Sequence, residues 1–477
     1  MNANDKMYDL AVLGAGPGGY VAAIRAAQLG FSVALVEKDP YPGGTCLHRG
    51  CIPTKAMLAS AEVFDQVRRA ERFGVRAGAP EVDVAGVHRH KASVVRRLAT
   101  GLEGLLRRHG VELVRGRGRL AGRGLLLVEG DKARQLKARH ILLATGSTPA
   151  VPPPFTVDGR RVLTSDEVLH LPSVPASLLV IGAGAVGVEF ASLFCRFGSR
   201  VTLVEMLPRV LPAEDEEISS ALEASLKRQG IEVLTGTVVE EVVPGDPVTV
   251  RARRGQEVLE RQAEILLVAT GRRPATEGLG LQEMGVEMEG ARVRVDEFMR
   301  TSVVGLYAIG DLVPGPQLAH VASAEGILAV EHMAGREVHP LDYDKTPSAT
   351  YCHPEVASVG LSERRAVEAG YDVKVGRFPF AALGKAVLWD DTEGFVKVVA
   401  EARYGEVLGV HILGPHATDL IAEAVVALQC EATLEELFRS VHPHPTLSEA
   451  IAEAAHGADG SPLHFLPPPP RKRPVPA

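Results

Sequence analysis

The sequence predicts an α/β protein organised around two copies of one βαβ unit. Three observations carry that expectation: a glycine-rich turn that occurs twice behind an apolar strand, an acidic residue that closes each copy at the same spacing, and a matching pair of apolar strands that ends each copy's domain. The chain has 477 residues, 46% of them hydrophobic and 23% charged, which suffices for about three globular domains.

The first copy begins with the apolar strand Leu10 to Leu13 and turns through Gly14-Ala15-Gly16-Pro17-Gly18-Gly19 into an Ala-rich helical stretch that ends at Gly30. A second strand, Val33 to Val36, ends in Glu37. The second copy runs from Leu178 to Ile181 through Gly182-Ala183-Gly184-Ala185-Val186-Gly187, a helical stretch to Gly198, and a strand from Val201 to Val204 that ends in Glu205. A phosphate bridge approaches a backbone only where Cβ atoms are missing and amide donors are free. Gly14 and Gly182 are therefore read as the tight turn, Gly16 and Gly184 as the place where a pyrophosphate meets the helix N-terminus, and Gly19 and Gly187 as sites of close helix-to-strand packing. Glu37 and Glu205 are expected to accept a ribose hydroxyl. A lone G-x-G-x-x-G is weak evidence; two complete copies in strand-turn-helix context imply two Rossmann-like dinucleotide-binding domains.

Ile141-Leu142-Leu143-Ala144-Thr145-Gly146 and Ile265-Leu266-Leu267-Val268-Ala269-Thr270-Gly271 read as buried strands that close the two domains, and they place Thr145, Gly146 and Gly271 beside the nucleotides. Pro-rich stretches at Pro149 to Pro154 and Leu171 to Pro175 flank the entry to the second unit. The expected boundaries are 1–150, 151–275, 276–345 and 346–460, with a Pro-rich tail over 461–477.

Charge and composition exclude several classes. The net charge is −7 with opposite charges interspersed, so no nucleic-acid partner is expected. There is no run of about 18 apolar residues, and Asp5, Lys6 and Asp9 precede the first strand, unlike a secretory signal. No membrane association and a cytoplasmic location are the expectation, and no resident metal is expected. Five cysteines are too few for a secreted disulfide framework, so the close pair Cys46 and Cys51 points to chemistry. A regular α-helix would hold Cα atoms five residues apart at roughly 8 to 9 Å, beyond the limit of about 7 Å for a disulfide. Distorted backbone is therefore expected between the two cysteines, with Gly50 and Pro53 permitting an irregular turn.

The segment Gly43-Gly44-Thr45-Cys46-Leu47-His48-Arg49-Gly50-Cys51-Ile52-Pro53-Thr54-Lys55 resembles the redox-disulfide motif of the pyridine nucleotide-disulfide oxidoreductases, and the chain to about residue 460 is similar to the dihydrolipoamide dehydrogenases, the E3 components of 2-oxo acid dehydrogenase complexes. The resemblance implies that the first unit binds FAD and the second NAD, and that a C-terminal α+β domain forms a homodimer. It implies that Cys51 faces the flavin and Cys46 exchanges with substrate. His442-Pro443-His444-Pro445-Thr446-Leu447-Ser448-Glu449 resembles the family's His-Pro-Thr-x-x-Glu motif, which maps the base onto His444, opposite the partner's disulfide, and its orienting carboxylate onto Glu449, with His442 a bystander. A base is needed because the thiolate is the nucleophile and a free thiol titrates near about pH 8.5. Lys55 and Glu189 match positions that form an ion pair beside flavin and nicotinamide. Ala308-Ile309-Gly310-Asp311 resembles the second FAD motif, in which Asp311 meets the ribityl chain, with Ala319 further along the same site. The implied reaction moves electrons from dihydrolipoamide through the Cys46–Cys51 disulfide and FAD to NAD⁺, and the implied partners are a lipoyl domain and the E2 acyltransferase.

Departures from the pattern stand beside the active cysteines. The family usually has Asn-Val where this chain has His48-Arg49, so a cation and a titratable group adjoin the thiols, where they either lower a thiol pKa, hinder an apolar substrate or lie inert at the surface. Leu383 stands where a similar stretch often has Asn. Within the family, Glu205 would repel the 2′-phosphate of NADP, which favours NAD over a glutathione reductase reading. A mercuric reductase would carry a cysteine pair near its C-terminus, but the last cysteine is Cys430. The full disulfide and base argue against a soluble transhydrogenase, and equally against a scaffold or redox-sensing flavoprotein without turnover. The tail from Phe465 to Ala477 is expected to be extended or disordered.

Overall fold

The computed structural model describes residues 6–130 and 133–466, so Asp5 and the expected tail beyond Leu466 lie outside the described residues. Contacts divide the chain into two compact units, one of Met1–Val174 with Leu267–Tyr343 and one of Pro175–Leu266 with Asp344–Ala477.

The first unit is built on a seven-stranded sheet. Met7–Leu13 lies between Val33–Glu37 and Arg134–Leu143, parallel to both, and Leu306–Ala308 joins the far side of Arg134–Leu143 in parallel. Every residue of Val33–Glu37 is buried, as a parallel strand covered on both faces requires. Successive side chains take opposite faces: Leu10, Val12, Leu35 and Leu142 enter one core, whereas Ala11, Leu13, Val36 and Leu143 enter the other. Glu112–Arg115 extends the parallel edge, and Leu125–Glu129 and Arg117–Gly122 form an antiparallel extension at the other. The Ala-rich stretch is the helix Pro17–Gln28, with Ala22, Ala23 and Ala26 fully buried. Those small side chains let the helix Ala319–Met333 lie against it so closely that a Cβ on Gly326 would come 2.7 Å from the Gly18 carbonyl oxygen.

The second unit repeats the parallel arrangement with Ser177–Ile181, Arg200–Val204 and Glu232–Leu234, and Ala185–Arg196 is its helix. Thr237–Val243, Val248–Arg254 and Glu257–Ala263 make a three-stranded antiparallel sheet. The rest is a five-stranded sheet in the order Ser348–Thr350, Glu355–Gly360, Val407–Gly414, Phe395–Glu401 and Val373–Pro379, each neighbour antiparallel. Val407–Gly414 is buried along its whole length, as its central place demands. The helices Ala417–Gln429, Leu434–Arg439 and Glu449–Ala458 share a core with this sheet. Glu449–Ala458 sits directly on the backbone of Val373–Pro379: a Cβ on Gly376 would fall 1.9 Å from the Ala454 carbonyl oxygen. The α/β fold with two Rossmann-like halves and a C-terminal α+β portion is thus the observed one. Among the described residues no helix is long and apolar enough to cross a membrane.

Candidate functional site

The two glycine turns are superimposable in their local chemistry. Gly14 has φ +104° and Gly182 φ +99°, a left-handed backbone that L side chains rarely adopt. A Cβ on Gly19 would lie 1.9 Å from the Gly14 oxygen, and one on Gly187 1.8 Å from the Gly182 oxygen, so the third glycine of each copy permits the helix to start against its own strand. The middle glycines differ from these in what surrounds them. A Cβ on Gly184 would meet nothing within 4 Å, and one on Gly16 only the Gly44 Cα at 4.0 Å. Each is also the N-cap of a 12-residue helix with no side-chain cap, which leaves amide donors and the positive helix end directed at open space. That is the cradle a pyrophosphate needs, and both copies fit the group.

Glu37 and Glu205 are buried and hold these turns. Glu37 accepts from the Ala15 N–H at 2.8 Å and the Asp39 N–H at 2.8 Å; Glu205 accepts from the Ala183 N–H at 2.6 Å and the Leu207 N–H at 2.9 Å. Ionised carboxylates have lone pairs left for a ribose hydroxyl, so both roles are compatible.

The matching segments after the closing strands clasp each other within the first unit. Thr145 Oγ1 donates to the Ala275 carbonyl at 2.9 Å and the Ala275 N–H to the Gly146 carbonyl at 2.8 Å; Thr270 Oγ1 donates to the Ala150 carbonyl at 3.0 Å and the Ala150 N–H to the Gly271 carbonyl at 2.9 Å. Ser147–Pro149 and Arg272–Pro274 pair between these bonds. Arg272 donates to Ser147 Oγ at 2.6 Å and lies 3.8 Å from Asp311, which also accepts from Ser147 Oγ. Asp311 sits in the 3₁₀ turn Gly310–Leu312, and Ala319 opens the following helix. Glu325, nearly two turns further along that helix, accepts from the Gly310 N–H at 2.6 Å and the Tyr343 hydroxyl at 2.8 Å.

Between the cysteines the helix is broken, as the spacing demands. Gly44–His48 is one helix, Arg49 (φ −139°, ψ 6°) and Gly50 (φ −140°, ψ −110°) leave helical geometry, and Cys51–Arg69 is the next. The Thr54 N–H still reaches the Gly50 carbonyl at 3.1 Å, and Pro53 occupies the first turn, where its missing donor costs nothing. This segment is moored to the first glycine turn: the Gly43 N–H donates to the Ala15 carbonyl at 2.7 Å, and a Cβ on Gly44 would come 2.6 Å from the Gly16 Cα. Both cysteines are partly buried. A hydrogen bond with Cys51, burial and the Cys51 charge push the Cys46 thiol far above the ordinary range, and the Lys55 charge pulls it down. Lys55 is therefore the cation that acts on this sulfur. Arg49 instead donates to Asp39 at 2.7 Å, and His48 meets the Pro42 carbonyl at 2.9 Å. Tyr20, whose hydroxyl is pushed up by burial and by the charge of Cys46, adjoins the pair and gave no signal in the sequence.

The second unit holds the remaining residues. His444 Nδ1 meets Glu449 Oε1 at 2.9 Å, and the Thr446 N–H donates to Glu449 Oε2 at 2.8 Å. Burial opposes ionisation of Glu449, but the Thr446 N–H and His444 hold its carboxyl below the usual range, at the favourable N-terminus of its helix. The His444 side chain is 77% exposed, so its other nitrogen faces outward. His442 is more than a spacer: partly buried, it meets Glu423 and the Ser440 carbonyl, both at 2.8 Å, a second histidine–carboxylate pair that the motif did not reveal. Glu189 is buried and accepts from the Tyr351 N–H at 3.0 Å. Leu383, where Asn was expected by resemblance, is buried in the core as the N-cap residue of Gly384–Leu388.

The chain is similar to known proteins over most of its length. The pyridine nucleotide-disulphide oxidoreductase model matches residues 8–326, and that family's dimerisation domain matches residues 346–455. The chain is 45% identical over 474 residues to a dihydrolipoyl dehydrogenase of Bacillus subtilis, covering 96% of this chain and 99% of that protein. It is 41% identical to a leghemoglobin reductase of Glycine max, covering 96% and 89%. Among solved structures, LpdA from Mycobacterium tuberculosis superposes with a TM-score of 0.87 at 28% identity, covering 94% of this chain and 98% of that one. The HOCl-induced flavoprotein disulfide reductase RclA from Escherichia coli does so with a TM-score of 0.83 at 26% identity, covering 94% and 99%. With the redox cysteines, two nucleotide cradles and the histidine–glutamate pair in place, the chain belongs to the pyridine nucleotide-disulphide oxidoreductase family.

Proposed function

We propose that this chain is a dihydrolipoyl dehydrogenase that oxidises protein-bound dihydrolipoamide with NAD⁺, acting as a homodimer in the cytoplasm beside the E2 acyltransferase of a 2-oxo acid dehydrogenase complex. The observation that carries the reading is the pairing of a Cys46–Cys51 thiol pair, moored to one nucleotide cradle, with an exposed histidine whose tautomer is fixed by Glu449. FAD in the first cradle and NAD in the second supply the hydride chemistry. The dithiol substrate attacks Cys46, breaking the sulfur–sulfur bond to Cys51; a second substrate sulfur then displaces Cys46, leaving two protein thiols and an oxidised substrate. His444 takes the proton that each attacking sulfur must lose, and Glu449 stabilises the imidazolium. In the family's dimer the base and the disulfide come from different subunits, which is the role inferred for His444. Lys55 stabilises the Cys46 thiolate that the second displacement generates. Functionally the division follows 1–150 and 276–345 for FAD, 151–275 for NAD and 346–460 for the dimer.

The test is turnover of dihydrolipoamide and NAD⁺ by the FAD-loaded protein, read as NADH absorbance, with Cys51→Ser as the control. Turnover by the wild type alone supports the reading. Reduction of another disulfide by NADH without dihydrolipoamide turnover would reassign the substrate.

A further inference from the structure

Arg49 takes no part in the chemistry above, yet with Gly50 it forms the junction where the backbone between the cysteines leaves helical geometry. Its N–H donates to the Thr45 carbonyl at 2.8 Å, and its side chain reaches two carboxylates. Nη2 lies 2.7 Å from Asp39 Oδ2, and Nε lies 3.8 Å from Asp166 Oδ2. Both carboxylates belong to anchored backbone. Asp39 follows Glu37, which accepts its N–H, and the Asp39 carbonyl accepts from Arg115 at 3.1 Å. Asp166 sits in Ser165–Val168, a single turn fixed by the Thr164–Glu167 capping box. Burial works against its charge, Arg49 and Arg272 favour it, and its Oδ1 is buried without a hydrogen-bond partner.

We propose that Arg49 is a positioning residue for the redox step: by tying the junction between Cys46 and Cys51 to Asp39 and Asp166, it holds the two sulfurs at closing distance and shifts the dithiol–disulfide equilibrium toward the disulfide. The inference rests on the reading of this pair as the redox centre. Oxidation removes two electrons and two protons from the thiols and forms one sulfur–sulfur bond, whose geometry tolerates little error. The irregular two-residue junction is held by backbone only through the Arg49 N–H to Thr45 and the Gly50 carbonyl to the Thr54 N–H, so without a side-chain tie it would lose conformational freedom each time the bond forms. The clamp removes that freedom beforehand. Its action is geometric, because the charges that act on Cys46 are those of Cys51 and Lys55, while the Arg49 charge is spent on two carboxylates.

The experiment equilibrates the FAD-loaded full chain in mixtures of reduced and oxidised dithiothreitol, traps free thiols with a maleimide, and counts them by mass spectrometry. Arg49→Val is expected to shift the dithiol-to-disulfide ratio about tenfold toward the dithiol, which raises the potential by about 30 mV. Asp39→Asn should shift it part of the way, and the double variant no further than Arg49→Val, since both break one contact. The pH profile of Cys46 alkylation in the reduced protein should not move. A ratio within twofold of wild type for both single variants, or a parallel shift of the alkylation profile, overturns the proposal. Asp39→Asn carries the test if Arg49→Val fails to load FAD. A wild type whose Cys46 and Cys51 do not protect each other as the buffer turns oxidising would instead overturn the redox reading itself.

Discussion

Glu325 is a carboxylate on which burial prevails over the hydrogen bonds that favour its charge. Burial raises its pKa to about 7, with Asp311 adding to the rise, while the Gly310 N–H and the Tyr343 hydroxyl favour the anion. A carboxyl whose folded pKa is raised contributes stability that is fully present below its unfolded pKa and lost as pH rises through the folded one. The window here runs from about 4.5 to about 7. Glu325→Gln should therefore flatten the pH dependence of thermal unfolding in that window, with a gain on the order of 2–3 kcal/mol above it. A wild-type melting temperature that does not fall across the window, or a variant that falls in parallel, would contradict this account. The same turn carries Asp311, so FAD affinity of the variant should lose pH dependence in the same range. None of this was legible beforehand: the sequence marks Asp311 by its motif, but only the packed helix brings Glu325 to the Gly310 N–H. His444 and Glu449 were legible because they stand five positions apart in one short segment. Replacing His444 with Gln should lower the rate of disulfide reduction by dithiol about 10²- to 10⁴-fold while leaving FAD binding intact, measured by stopped-flow flavin absorbance.

At the scale of elements the repeat was legible because a βαβ unit is local: apolar strands, glycines and the closing acid lie in one short stretch, and each glycine answers to a nearby atom. Gly19 and Gly187 face the carbonyl oxygens of Gly14 and Gly182 in equivalent geometry, so they allow a paired prediction. Gly19→Ala should weaken FAD binding tenfold or more, and Gly187→Ala should do the same to NAD⁺ while FAD stays bound; a tenfold loss is about 1.4 kcal/mol, small beside a Cβ under 2 Å from backbone. Fluorescence titration of each nucleotide separates the two effects, and loss of both ligands in Gly187→Ala would show that the clash spreads beyond its own turn. The helix break between the cysteines was legible from the geometry of disulfides alone. The fate of His48-Arg49 was not, because the partners of Arg49 are Asp39 and Asp166, which no motif in the sequence marks.

For the molecule as a whole, the sequence showed where repeats begin but not which segments are welded together, and the weld in the second unit is made of charge. Lys397, 1% exposed on the strand Phe395–Glu401, lies 3.0 Å from Asp215 and 2.9 Å from Glu363, with Glu217 at 3.5 Å; Arg377 binds Glu217 at 2.6 Å and Glu363 at 3.1 Å. Asp215 and Glu217 stand at the start of Glu216–Arg228, in the nucleotide-binding part, whereas Lys397 and Arg377 stand on the antiparallel sheet. Burial opposes the Asp215 charge, and Lys397 with His411 overcomes it, so its carboxyl titrates below the ordinary range. A depressed carboxylate contributes stability above its unfolded pKa that is lost as pH falls through the folded one, so acid should loosen this weld. Taking away the cation leaves a buried anion without its partner, and such losses cost about 3–5 kcal/mol, whereas replacing both members by apolar groups is often nearly neutral. Lys397→Met should accordingly lower the urea midpoint sharply and Lys397→Met with Asp215→Leu should recover most of it. The single tryptophan, Trp389, lies in this unit, so its fluorescence reports the transition while flavin fluorescence reports the first unit. A double variant no more stable than Lys397→Met would mean that Asp215 is held chiefly by the Glu217 and Glu363 amides, at 3.0 and 3.4 Å, and that the lysine serves Glu363 instead.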